Sequence, residues 1–277
     1  MDLRIELTHE QAICRQDGQP AFAAPLKDFV AALSARGDSQ LLTEAIPDGV
    51  RFLRSRGQVT VLVMEDMPQV RTVRWLADDS PMPYGRGALY RTARLAFPFV
   101  IIIVALRAGG LTGYQQCFYR TERLVTLGDS LLYTNLFNCA RAYRQESWLC
   151  LANLQRDLAP LSWNHKVQEI RRHMWAASFN QSSEVHEGMS FWQTMRTIDP
   201  RVKSLDAWEE ASRADAFFPL GVRWQPARLT IGEAMNAMLN GAGSPLPPET
   251  LPDLARLLGT IAAAPAARVA QADSLRS

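Results

Sequence analysis

Residues Phe97 to Arg120 read FPFVIIIVALRAGGLTGYQQCFYR, and this stretch decides the fold class. Phe97 to Leu106 is the longest unbroken apolar run in the chain, far below the ~20 residues that a bilayer-spanning helix needs. The β-branched run Val100 to Val104 marks it instead as a buried strand. Gly109-Gly110 supplies a hairpin turn into Leu111 to Arg120, so the next strand returns beside it.

Upstream, from Val50, the text has the same character. VRFL is followed by a turn at Arg56-Gly57, then QVTVLVM with Val59, Val61 and Val63 on one face. A turn at Asp66 to Pro68 leads into VRTVRWL, and a polar loop is expected from there to about Arg94. Four or five strands with short connections and no helix between them predict an antiparallel meander sheet in an α+β fold. Thr121 to Pro160 reads as mostly irregular.

Helices are expected to cover this sheet. Asn164 is placed to cap KVQEIRRHMWAASF, where Val167, Ile170, Met174 and Trp175 share a face. Helical spacing recurs over Met189 to Ile198 and Leu205 to Phe217, and Thr230 with Glu233 has capping-box spacing before Ile231, Ala234, Met235 and Met238. At the other end, Leu3, Ile5 and Leu7 alternate as in a strand, and Pro25 opens a helix with Leu26, Phe29, Val30 and Leu33 in register. These boundaries give an N-terminal strand and helix (1–44), a core (45–180), a helical extension (181–245), and a short helix with an Ala-rich tail (246–277).

Composition narrows the function. The 277 residues carry 30 Lys+Arg against 28 Asp+Glu and are 47% apolar, which excludes collagen, coiled coil and wholesale disorder. Residues 1–180 hold 21 basic and 17 acidic side chains, and residues 181–277 hold 9 and 11. Neither part is a polybasic arm, so a dedicated nucleic-acid binder is not expected. MDLRIELTHE shows no signal-peptide pattern, so a cytoplasmic chain with no membrane partner is expected, its four cysteines as thiols.

Gly109-Gly110 lacks any phosphate-loop context, and His9, His165, His173 and His186 are scattered without a CxxC. No cofactor and no metal is expected, and no GxSxG elbow occurs. Attention passes to the cysteines. Cys14, Cys117 and Cys139 lie in or beside strand-like runs and read as small buried hydrophobes. Cys150 follows the polar ARAYRQES and precedes ANLQRDLAPLSW, and a thiol between two loops is the candidate nucleophile.

The order of features from Leu95 to Phe179 resembles the core of a ubiquitin-conjugating enzyme, the UBC fold. The matching residues are LAFPFVIIIVAL, Tyr133-Thr134-Asn135-Leu136, Leu149-Cys150-Leu151 and Ser162-Trp163-Asn164. Tyr133-Thr134 stand where that family has His-Pro, and the stretch from Asn135 to Cys150 is longer than usual. With IPDGVRFL (Ile46 to Leu53) as entry to the first sheet strand, residues 45–180 are similar to the divergent bacterial UBC-like family D, which includes the protein B component of PRTRC cassettes. The resemblance implies a thioester carrier on Cys150. Its implied partners are a ubiquitin-like protein, a ThiF-like adenylating enzyme and a JAB-type metallopeptidase.

Such transfer requires an accessible thiol and a donor aimed at the oxyanion formed when an amine attacks. The resemblance assigns the donor to Asn135, with Asn138 as the substitute if the longer loop shifts register. On the loop after the cysteine, Asp157 is the available acid for the acceptor amine, and His165 is the nearby alternative. Trp148 and Trp163 bracket the segment as packing anchors. Tyr133 is placed to organise the loop through its hydroxyl, and Arg141, Arg144 and Arg156 form either a solvated rim or a surface for an acidic partner. Two other readings remain open. One is a catalytically inactive UBC-fold binding module. The other is a scaffold component of a plasmid- or phage-associated complex, with Trp192, Met195 and Trp208 exposed for docking.

Overall fold

The computed structural model describes residues 3–8, 10–29, 47–151, 154, 158 and 160–242. The chain divides into two compact units, one of residues 1–41 with 55–57 and 244–277, the other of residues 42–54 and 58–243.

In the first unit, β1 (Leu3–Leu7), β2 (Gln11–Gln16) and β3 (Gln19–Pro25) form an antiparallel sheet in that order. Asp17 and Gly18 both take positive φ, the geometry of a two-residue hairpin turn for which Asp-Gly is suited. Ala12, Cys14 and Ala24 are buried. The β2–β3 hairpin fills a stretch in which the sequence marks a strand-like run only at Cys14 and announces no hairpin. Residues 26–29 are helical, as Pro25 predicts, and Val30 and Leu33 lie outside the described residues.

The second unit holds eleven strands in its described residues. They are β4 (Val50–Arg56), β5 (Val59–Asp66), β6 (Gln69–Leu76), β7 (Tyr90–Phe97), β8 (Phe99–Arg107) and β9 (Gly110–Arg120). After them come β10 (Ser130–Leu132), β11 (Cys139–Ala142), β12 (Gln145–Leu149), β13 (Ser178–Phe179) and β14 (Pro226–Thr230). The main sheet runs β11-β12-β9-β8-β5-β4, with β10 joining β9 to β14. Every residue of β8 but Arg107 is buried, as its apolar run predicts for a strand with neighbours on both sides.

The expected meander is interrupted. β5 pairs antiparallel with β8, from Val59 opposite Arg107 to Asp66 opposite Val100, while β6 leaves to pair with β7 in a second sheet ordered β13-β6-β7. Most of β7 falls in what the sequence presents as a polar loop. Arg91 and Arg94 give it a polar appearance, but Ala93, Leu95, Ala96 and Phe97 are buried. The segment from Thr121 to Pro160 is likewise not mostly irregular, since it contains β10, β11 and β12. The β11–β12 turn places Tyr143 at φ 53° and Arg144 at φ 61°, without the Asn or Gly that announces such a turn.

Five α-helices follow: α1 (Trp163–Ala176), α2 (Ser182–His186), α3 (Phe191–Met195), α4 (Leu205–Ala214) and α5 (Ile231–Gly241). The cap of α1 is Ser162, whose side chain accepts from the His165 N–H, and not Asn164. Asn164 instead accepts the Asp48 N–H at 3.3 Å. Val167, Ile170 and Met174 face the core as their spacing predicts, and the Thr230–Glu233 capping box is formed in full. The fold is thus mixed α+β, with an N-terminal strand and helix segment, a large curled sheet and C-terminal helices.

Sheet and helices share one core. Trp75 packs on Phe137, Phe179, Trp192 and Trp208 with ring centroids 5.0 to 5.6 Å apart. The Trp208 indole donates to the Ala96 carbonyl at 2.9 Å, so the polar tip of a fully buried ring is satisfied. Trp192, Met195 and Trp208 are therefore buried, not exposed as the scaffold reading requires. Among the described residues, no helix is long and apolar enough to cross a membrane.

Candidate functional site

The β11–β12 hairpin builds the site. Cys139 lies opposite Leu149, and one step further the Cys150 N–H donates to the Asn138 carbonyl at 2.7 Å. Asn138, in the turn before β11, and Cys150, just after β12, are thus joined by a backbone hydrogen bond at the open end of the hairpin. Both line a pocket of about 340 Å³, together with His173, Ala176, Ala177, Ser178, Asn180 and Ser182. Cys150 is partly exposed.

The opposite wall is the end of α1 and the start of β13, and it is firmly held. The Arg171 guanidinium donates to the carbonyls of Gly49 (3.1 Å) and Glu65 (2.8 Å) and pairs with Asp66 at 3.0 Å. The Trp175 indole donates to Asp66 at 2.7 Å. These anchors lie two residues on either side of His173 and fix the turn that presents it. At the rim, the Asn180 amide donates to the Tyr90 hydroxyl and its carbonyl oxygen accepts the Ser182 N–H.

Asn138 is 8% exposed, and its Nδ2 has no hydrogen-bond partner in the structure. A buried amide donor without a partner costs about 1–3 kcal/mol, so its presence in the pocket lining marks a place where an acceptor would be welcome. Asn135 is differently placed. It is wholly buried, its Oδ1 accepts the Tyr119 hydroxyl at 2.9 Å, and it does not line the Cys150 pocket. The Nδ2 of Asn135 also lacks a hydrogen-bond partner, so what separates the two asparagines is that Asn138 lines the Cys150 pocket and Asn135 does not.

Asp157 and Arg156 lie outside the described residues. His165 sits in the first turn of α1, exposed, with Nδ1 3.1 Å from the Ser162 hydroxyl, and it is not in the pocket lining. His173, which sequence alone counts among scattered histidines, is the imidazole that lines the pocket. A regular hairpin turning at Tyr143-Arg144 would put Phe137 opposite Cys150, and the register shift between Ala140 and Ala142, which the sequence does not announce, brings Asn138 there instead. No sequence signal joins His173, eight residues after His165, to the site.

The other thiols differ from Cys150 as expected. Cys14, Cys117 and Cys139 are buried, and burial pushes the thiol pKa up at Cys14 and well up at Cys117. Tyr143, on the hairpin turn, donates its hydroxyl to Glu187 at 3.0 Å and packs on Trp148. The Glu187 carboxylate, with a smaller contribution from Cys150, raises the Tyr143 pKa. Trp148 and Trp163 are partly buried, Trp163 under the Lys166 ammonium at 5.0 Å. Tyr133 donates to Glu146 at 2.8 Å and accepts from Arg141 at 2.6 Å, a network that braces β11 and β12 from outside. Arg144 is exposed on the hairpin turn.

No family model, no curated protein and no solved structure matches the chain. The chemistry of the site therefore rests on the pocket itself, a partly exposed thiol beside an unpartnered amide donor.

Proposed function

We propose that the chain is a ubiquitin-conjugating-type carrier that accepts a ubiquitin-like protein as a thioester on Cys150 and passes it to an amine. The observation that carries this reading is the placing of Cys150 and the Asn138 Nδ2, a donor without a hydrogen-bond partner, in the lining of one open pocket. A UBC-like sheet is supported by the order β4-β5-β8-β9, in which neighbours in the sheet follow chain order once the β6–β7 hairpin is set aside.

In loading, the Cys150 sulfur attacks the modifier's thioester on a ThiF-like adenylating enzyme and that enzyme's thiolate departs. In discharge, an acceptor amine attacks the carbonyl carbon, and the negative charge on oxygen is met by the Asn138 N–H. One such donor contributes about 2.7–4 kcal/mol, or a rate factor of about 100 to 1,000.

The test mixes the protein with ATP and with the adenylating enzyme and ubiquitin-like protein encoded beside it, and reads intact mass. The expected product is one thiol-labile modifier adduct, absent without ATP and converted to a thiol-resistant ester in Cys150→Ser. A second reading, a binding module of the same fold without transfer chemistry, is favoured by Asn135 being turned into the core on Tyr119. Modifier binding without any adduct would select it.

A further inference from the structure

We infer that His173 is the general base that accepts the acceptor amine's proton at Cys150, an assignment that rests on Cys150 being an acyl carrier. The pocket separates the two needs of aminolysis onto two walls. Asn138, from the hairpin side, offers a donor with no partner and no proton to exchange. His173, from the helix side, offers an imidazole, the side chain suited to moving protons near neutrality. Among the described residues that line the pocket there is no carboxylate to do this instead.

The placement is rigid. Arg171 and Trp175 both bind Asp66, so the helix turn between them cannot shift without breaking part-buried charged contacts. Ala176, Ala177 and Ser178 beside His173 are small and leave the wall open.

The step balances without a further reactant. The amine nitrogen forms a bond to the thioester carbon, His173 takes the proton from that nitrogen, and collapse of the oxyanion breaks the C–S bond. The departing Cys150 thiolate then takes the proton back from the imidazolium, leaving an amide, a thiol and a neutral histidine.

The test needs no natural partner. Full-length protein is acylated on Cys150 by exchange with a peptide thioester ending in glycine, and release of the acyl group to ethylamine is followed by mass. His173→Gln should load to the same extent but release at least about 100-fold more slowly, with added imidazole restoring part of the rate. His173→Asn serves as a second variant, and a loading level equal to wild type shows that the pocket is intact. Normal loading with unchanged release in both variants would overturn the role of His173 and leave Cys150 as carrier. Failure of the wild-type protein to load would overturn both.

Discussion

Asn135 and Asn138 are three residues apart and face different surroundings, which makes them a direct pair for mutation. Asn138→Ala removes an unpartnered Nδ2 together with an Oδ1 that accepts only from the weak Cys139 thiol donor, so stability should change little while acyl transfer from Cys150 falls by about 100-fold or more. Asn135→Ala leaves the buried Tyr119 hydroxyl without its acceptor, at a cost of about 1–3 kcal/mol. Thermal melting together with single-turnover transfer separates the two, and a large rate effect confined to Asn135 would reverse the assignment. At this scale the sequence singles out Cys150 and two asparagines, of which Asn138 shares its pocket. It does not reveal His173, because membership of a pocket is set by where α1 ends against the hairpin and not by local spacing.

The β11–β12 hairpin is the element on which the site depends, and it turns through two L-residues at positive φ. Such a conformation costs a non-glycine residue roughly 1–2 kcal/mol. Arg144→Gly should therefore raise the melting temperature, with a gain of about 1 kcal/mol in denaturant titration and no change in Cys150 loading. Asp66 is the corresponding anchor for α1, because it receives Arg71, Arg171 and Trp175 together. Asp66→Ala strands two part-buried guanidinium groups and should cost about 3–5 kcal/mol in the same titration.

The legibility of these elements follows from their chemistry. The buried β8 strand, the α1 face and the α5 capping box are visible in sequence, since apolar spacing and a Thr–Glu pair act locally. The β7 strand and the β11–β12 hairpin are not, since Arg91 and Arg94 interrupt the apolar pattern of one and the other turns without glycine. The pairing of β5 with β8 instead of β6 is a long-range choice that no local pattern encodes.

At the scale of the molecule, the aromatic contacts among Trp75, Trp192 and Trp208 make sheet and helices one cooperative body. Trp208→Ala should cost about 3–5 kcal/mol, and a chain ended at residue 180 should lose near-UV circular dichroism and bind hydrophobic dye. A truncated chain with native spectra would mean that residues 181–242 are an appendage.

Carboxylates held as anions contribute to acid sensitivity. The Val125 N–H at Asp129, the Arg201 side chain at Asp199 and the Thr230 N–H at Glu233 each lower the carboxyl pKa. A folded pKa below the unfolded value, about 3.9 for Asp and 4.3 for Glu, gives stability that is complete above the unfolded value. It is lost as pH falls through the depressed folded value. The urea midpoint should be insensitive to these groups from pH 7 to 5 and fall below about pH 4, less steeply in Asp129→Asn.

The central claim is that Cys150, in its pocket with Asn138, accepts an acyl group. Its most direct test is peptide mapping of the native protein after exposure to a glycine-terminated thioester. The account predicts a thiol-labile acyl mark on Cys150 and none on Cys14, Cys117 or Cys139. An unmodified Cys150 in a folded, fully reduced protein would contradict it.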